Sequence, residues 1–318
     1  MNGSRTIPNL FIVGAPKCGT TAMHTYLGQH PEIFMARVKE NNHFATDLIP
    51  PADEFRSDGR YFEMFREAGD KKIVGESSVY YMLSKIAAEN IRRFNPEAKI
   101  IIMLRNPVDV LHSFHAQLIY NGDEDIMDFE AALEAETKRK SGELQIKKGL
   151  RFNERLFYSE VVSCAEQVQR YLYLFPKEQV YIIIYDDFRI DTAGVYRKTL
   201  EFLNVDPMFQ PDFPIVNPRK MLIPHRVIGK KGWRGFLLRM IELPVPPVRF
   251  MIQTTPQTLR NYLKRVLFDM KPSGHPNQQN PPMCSETRRQ LQKTYRLEIE
   301  KVEKLLGRDL CSWYQDCA

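Results

Sequence analysis

The segment from Leu10 to Thr21 constrains this chain more than any other. Four apolar residues, Leu10-Phe11-Ile12-Val13, run into Gly14-Ala15-Pro16-Lys17-Cys18-Gly19-Thr20-Thr21 and then into a helical pattern reaching about Leu27. A continuous apolar run of that length fits a strand buried on both faces. Glycines at both ends of the turn, with hydroxyl residues where the helix begins, converge backbone amides at a helix N-terminus. Strand, loop and helix together form the first unit of an α/β fold and a cradle for a phosphate-like anion. In loops that hold a nucleoside triphosphate, G-x-x-x-x-G-K-[ST], a lysine follows the second glycine. Here Thr20 takes that place and the lysine comes earlier, as Lys17, which suits a shorter, diphosphate-like group.

Further short apolar runs at Ile73 to Gly75, Lys99 to Leu104 and Val180 to Tyr185 are each preceded by a helical pattern. Continuous rather than alternating apolarity predicts strands of a parallel sheet. Helical stripes run from Tyr158 to Phe175 and from Leu291 to Leu306, and Asn106-Pro107 ends the Lys99 run and starts another helix. The expected fold class is α/β: a P-loop-type three-layer fold with a central parallel sheet flanked by helices. At 318 residues one domain, 1–318, accommodates it. No apolar run approaches the roughly 18 residues of a membrane span. Met1 to Pro8 lacks the apolar core of a signal peptide, so the expectation is cytoplasmic, a trimmed luminal form reading the same way. Five scattered cysteines with no CxxC pair predict neither a disulfide framework nor a zinc site.

Charge is unevenly spread. Arg219 to Lys271 carries twelve Lys or Arg against two acids, a local +10 in a chain of net +6. Pro-rich stretches at Leu243 to Pro247 and Lys271 to Met283 bracket apolar, basic helical pieces, so 218–281 reads as a helical, basic lid or acceptor-binding insertion. Trp233, Phe236, Leu237, Leu238, Phe250 and Tyr262 are interleaved with the basic residues. That mixture fits peripheral membrane contact through 219–271, and it keeps a membrane-surface or nucleic-acid binding module open as an alternative.

Two motifs together carry a family resemblance. Ala15-Pro16-Lys17-Cys18-Gly19-Thr20-Thr21 resembles the 5′-phosphosulfate loop of sulfotransferases that use 3′-phosphoadenosine 5′-phosphosulfate, in the bacterial and Golgi-type branches that include heparan sulfate enzymes. Arg105-Asn106-Pro107-Val108-Asp109-Val110-Leu111-His112-Ser113, directly after a strand run, is similar to the family's 3′-phosphate motif. Arg105 offers a fixed fork of donors to a phosphate dianion and Ser113 a hydroxyl from the following helix. Gly75-Glu76-Ser77-Ser78, Tyr185-Asp186-Asp187-Phe188 and Leu306-Gly307-Arg308-Asp309-Leu310 agree with the same family.

The resemblance implies sulfuryl transfer to a hydroxyl or amine, releasing adenosine 3′,5′-bisphosphate. Lys17 would contact the bridging oxygen and sulfuryl group, with Cys18 fitting the tight turn. Gly19, Thr20 and Thr21 would hold the 5′-phosphate. Lys39-Glu40-Asn41-Asn42-His43-Phe44 resembles the family's K-E-P-H-[FY]-F stretch, with asparagines at the proline and histidine positions; Glu40 is the leading acceptor base and His43 the reserve. No metal is expected, because protein cations suffice for the lesser charge of a sulfuryl group. The acceptor is a small molecule, lipid or carbohydrate, and no nucleic-acid partner is expected. Arg219, Arg226, Lys230 and Lys231 compete for a late basic role over the nucleotide. His112 and His115 share a helix face and favour packing. A P-loop kinase or nucleotide hydrolase is the competing enzyme class.

Overall fold

The structure is a computed structural model that describes residues 6–214 and 282–314. The 218–281 insertion, the 219–271 basic surface and Arg219, Arg226, Lys230 and Lys231 lie outside the described residues.

Five parallel strands form the central sheet: β1 (Leu10–Gly14), β2 (Ile33–Met35), β3 (Ile73–Ser77), β4 (Lys99–Leu104) and β5 (Val180–Ile184), in the spatial order β2-β3-β1-β4-β5. Around it run α1 (Thr20–Leu27), α2 (Asp58–Glu63), α3 (Ala87–Phe94), α4 (Pro107–Asn121), α5 (Phe129–Lys140), α6 (Tyr158–Val161), α7 (Cys164–Leu174), α8 (Tyr185–Ile190), α9 (Thr192–Leu203) and α10 (Ser285–Leu306). The expected α/β layering is present. Every residue of β1 is buried, and alternate residues serve opposite cores. Leu10 and Ile12, with Ile101 and Met103 of β4, pack beside residues of α1, α4 and α9; Phe11 and Val13, with Ile100 and Ile102, pack beside residues of α3, α7 and α10. Two-sided burial is why these strands read as unbroken apolar runs.

Two departures from the sequence reading have physical causes. β2 escapes a pattern search because it is a three-residue strand at the sheet edge. The stripe from Tyr158 to Phe175 is not one helix but two, interrupted at Val162-Ser163. Tyr158, Val161 and Val162 belong to one core, whereas Cys164, Ala165, Val168 and Tyr171 belong to the other. The break thus carries the chain from one side of the sheet to the other. Gln167 Nε2 donates to Glu160 O at 2.6 Å and Ser163 Oγ to Ser159 O at 2.8 Å, satisfying carbonyls beside the break.

Helix ends follow capping chemistry. Asn106 Oδ1 accepts from Val108 N at the start of α4, Pro107 occupies the first turn, and Gly122 closes the helix in the left-handed region at φ 73. Beyond it, Glu124 is fully buried and accepts two bonds from Arg139, at 2.6 and 2.8 Å, and one from Tyr158 OH at 2.9 Å. Among the described residues no helix is long and apolar enough to cross a membrane.

Burial alone would raise the Glu124 carboxyl, but its hydrogen bonds to Arg139 hold it below its ordinary 4.5. A depressed carboxylate contributes stability above the ordinary value that is lost as pH falls through the depressed one. Denaturant titrations should therefore show the stability advantage of the wild type over Glu124→Gln shrinking on acidification below pH 4.5. Arg139→Met, which strands a buried carboxylate, should cost about 3–5 kcal/mol at neutral pH. A neutral result for it would mean that water reaches the pair.

Candidate active site

In an open parallel sheet the loops at the carboxyl ends of the strands are where ligands bind, at the point where strand order reverses. Here that point is between β1 and β4, which are neighbours in the sheet although β2 and β3 separate them in sequence. The glycine loop leaves β1 and Arg105 follows β4, so both motifs emerge side by side. Ala15 N donates to Met103 O at 2.7 Å, tying the start of the loop to β4.

The loop itself is built for an anion. Lys17 (φ 64) and Gly19 (φ 87) both adopt left-handed conformations, a backbone that turns successive amides inward. Among the described residues no side chain caps α1, and its first turn carries no acidic residue, which leaves its amides and helix dipole for an outside negative charge. Burial pushes the Cys18 thiol up to about 12, so this residue fills the turn and is no nucleophile.

One stripe of α4 joins the two motifs. Asp109, Ser113 and Gln117 recur at four-residue intervals on the same helix face. Asp109 lies 3.7 Å from Arg105, and Gln117 accepts from Lys17 Nζ at 3.3 Å. Ser113, between them, therefore faces the strip that runs from Arg105 to Lys17. Arg105 Nη1 approaches Lys17 O at 3.4 Å, and its guanidinium sits 4.7 Å above the Tyr185 ring. That ring is also the surface against which Gly19 lies, so Tyr185 links the glycine loop to Arg105.

Glu40 reaches the site from the loop after β2. Its Oε2 accepts from Val79 N at 2.9 Å and its Oε1 from Lys39 Nζ at 3.3 Å. Val79 belongs to the turn after β3 that closes on the end of β1: Ser78 N donates to Ile12 O and Met82 N to Val13 O, at 3.1 and 3.0 Å. Glu40 (φ 60) and Asn42 (φ 57) are left-handed, and Arg151 clamps that bend by donating to the carbonyls of Glu40 and Asn41 at 2.6 and 2.7 Å. Arg151 is held in turn by both oxygens of Asp53, at 2.6 and 3.0 Å.

The same bend turns His43 elsewhere. Its ring stacks on Tyr61 at 4.1 Å, with Nδ1 2.5 Å from Phe55 O and Nε2 3.6 Å from Asp58. Burial lowers its pKa. The asparagines that depart from the family pattern also have structural work. Asn41 donates to the buried Glu76 carboxylate, which also accepts from Tyr61, Tyr81 and Ser78, and Asn42 N donates to Ser78 Oγ at 3.2 Å. His115 bonds Ile126 O at 2.9 Å and His112 packs edge-on against Phe129, both in packing roles.

The structure thus assembles Lys17, Cys18, Gly19, Thr20, Thr21, Arg105, Ser113 and Glu40 at one end of the sheet and places the His43 ring in an aromatic cluster. Among known proteins, the sulfotransferase domain pattern matches residues 8–210. The chain belongs to the sulfotransferase domain family. Sulfuryl transfer from 3′-phosphoadenosine 5′-phosphosulfate is that family's general reaction. A crystal structure of a sulfotransferase from Alicyclobacillus acidocaldarius is 27% identical with a TM-score of 0.67, covering 97% of this chain and 99% of that one. Mouse carbohydrate sulfotransferase 15 (Mus musculus) is 24% identical over 64% of this chain and 45% of its own length. Human bifunctional heparan sulfate N-deacetylase/N-sulfotransferase 2 (Homo sapiens) is 23% identical over 63% of this chain and 22% of its own length. The chain spans less than half the length of these two relatives.

Three residues of this candidate site carry no signal that the sequence reading used. Gln117 was findable, since it continues the Asp109-Ser113 helix face. Arg151 lies 111 residues from the Glu40 carbonyl it holds, and no local pattern marks it. His24, on α1, pairs its Nδ1 with Ser77 Oγ at 2.8 Å at the end of β3. Burial, reinforced by the Lys39 charge, pushes its imidazole down to about 3. An NMR titration should find His24 still neutral at pH 5, and a midpoint near 6.5 would show a solvated ring. In Gly19→Ala, the new methyl would meet the Tyr185 and Phe188 rings at 3.1–3.3 Å and hold an alanine at φ 87. Calorimetry should show that variant losing nucleotide affinity along with roughly 1–3 kcal/mol of stability.

Proposed function

We propose that this chain is a sulfotransferase that uses 3′-phosphoadenosine 5′-phosphosulfate as donor, with Lys17, the loop amides, Arg105 and Ser113 binding the donor and Glu40 acting as base. The observation that carries the reading is the side-by-side emergence of the uncapped, lysine-bearing loop of β1 and the Arg105 fork of β4, spaced by the Ser113 face of α4. The two anion-binding elements suit the two phosphate ends of such a nucleotide.

The bound donor supplies an activated sulfuryl group with a phosphate leaving group. Glu40 takes the acceptor's proton as its oxygen or nitrogen bonds to sulfur. As the bridging oxygen leaves with the bond pair, Lys17 and the amides of Gly19, Thr20 and Thr21 balance the charge on the departing phosphate and the sulfuryl oxygens. Glu40 is favoured over His43 because its carboxylate is anchored beside the end of β1, whereas both His43 nitrogens face Phe55 and Asp58. Lys17 and Arg105 supply the positive charge for which a kinase would use a metal, so turnover is metal-independent. Hydroxyl or amine groups of a carbohydrate are the favoured acceptors, on the strength of the relatives named for carbohydrate and heparan sulfate substrates.

Sulfuryl transfer to a panel of saccharide and phenolic acceptors tests the reading. Glu40→Gln should lower kcat about 10²–10⁴-fold with donor affinity retained, and Lys17→Met about 10²–10³-fold. Chelator should leave the rate unchanged; activity abolished by chelator and restored by magnesium would overturn the metal-free scheme. Tight binding of ATP with magnesium, and none of adenosine 3′,5′-bisphosphate, would instead point to the kinase class.

A further inference from the structure

The C-terminal helix brings a second arginine to the edge of the proposed nucleotide site. Arg288, in the first turn of α10, donates from Nη2 to Asp109 Oδ1 at 2.7 Å. Arg105 Nη2 stands 3.7 Å from the other oxygen of the same carboxylate. The side chains of Arg105, Asp109 and Arg288 are 23, 31 and 36% exposed, so all three border the solvent from which a ligand would arrive.

The two separations differ in kind. At 2.7 Å the Arg288 contact is a charge-assisted hydrogen bond, whereas 3.7 Å is attraction without one. Among the described residues Arg105 is otherwise engaged only loosely, by the Lys17 carbonyl at 3.4 Å and the face of Tyr185 at 4.7 Å. Asp109, in the first turn of α4, is the carboxylate that faces Arg105 across 3.7 Å and so competes with an incoming anion for that guanidinium. Asp109 lies one turn before Ser113, so a carboxylate that closed on Arg105 would sit where a phosphate is to be held.

We propose that Arg288 is a positioning residue that keeps Asp109 from pairing with Arg105, leaving the Arg105 guanidinium available to the 3′-phosphate of the donor. The inference rests on the reading of Arg105 as the 3′-phosphate residue. Without Arg288, Asp109 needs only a side-chain rotation to close on Arg105, and ligand binding must then break that pair. The penalty is one half-exposed ion pair, a loss of about two- to fivefold in affinity. It falls only on nucleotides that bear a 3′-phosphate.

Calorimetric titration of the full chain with adenosine 3′,5′-bisphosphate and with 5′-AMP tests this. Arg288→Gln should weaken the bisphosphate about two- to fivefold and leave AMP unchanged. Arg288→Lys, which keeps the charge on Asp109, should bind as the wild type does. Adding Asp109→Asn to Arg288→Gln should restore bisphosphate affinity. Equal weakening toward both nucleotides would mean a packing role for Arg288. A double variant no tighter than Arg288→Gln would mean direct contact with the phosphate. Either result overturns the proposal. Arg105→Ala separates this from failure of the underlying reading: if it leaves the ratio of the two affinities at the wild-type value, Arg105 does not bind the 3′-phosphate, and the role of Arg288 falls with it.

Discussion

Everything at the site depends on the hydrogen-bonded adjacency of β1 and β4. A parallel pair points both carboxyl ends the same way, so the loop leaving β1 and the arginine leaving β4 arrive within reach of each other. The bond from Ala15 N to Met103 O carries that pairing into the loop itself, and Tyr185, just past β5, lies under both Gly19 and Arg105. Three adjacent strands thus supply a turn, a cation and the ring that spaces them. Shifting any one would separate the glycine loop from Arg105.

Backbone strain is concentrated in the same place. Among the described residues four non-glycine positions have positive φ, and three of them, Lys17, Glu40 and Asn42, lie on the loops that form the site; the fourth, Asn204, ends α9. A left-handed non-glycine residue costs of order 1–2 kcal/mol and persists only where its surroundings over-determine it. For Glu40 and Asn42 those surroundings are visible: the Arg151-Asp53 pair grips the carbonyls from one side, and Ser77 O and Ser78 Oγ accept the Glu40 and Asn42 backbone amides from the other. The glutamate is therefore held by bonds to its backbone as well as to its carboxylate. The buried Glu76 network beneath, with Asn41, Tyr61 and Tyr81, makes the floor of that loop rigid.

The position of His43 shows how little one residue of register has to change for a role to move. In a K-E-P-H-F pattern the histidine follows the glutamate by two places; here it follows by three, and the left-handed turn at Asn42 directs it into the cluster of Tyr61 and Phe44. Asn42 takes the intervening place, donating its backbone N–H to Ser78 Oγ and its side-chain Nδ2 to the Glu40 carbonyl.

The local pattern of the chain determined the α/β class, the strands β1, β3, β4 and β5, the glycine loop with its displaced lysine, and the placing of Arg105 and Ser113 around the start of α4, because each is a matter of residues within a dozen positions of one another. Apolar runs report two-sided burial, and glycine and proline report where the backbone must turn. Tertiary structure decided the rest. The edge strand β2 is too short to leave a periodic signal, and the break between α6 and α7 appears only once the two cores exist on opposite faces of the sheet. The grip of Arg151 on the Glu40 loop and the sharing of Asp109 by Arg105 and Arg288 span 111 and 179 residues of sequence. Contacts of that range are made by the packing of finished elements, and nothing in the local sequence around either partner encodes them.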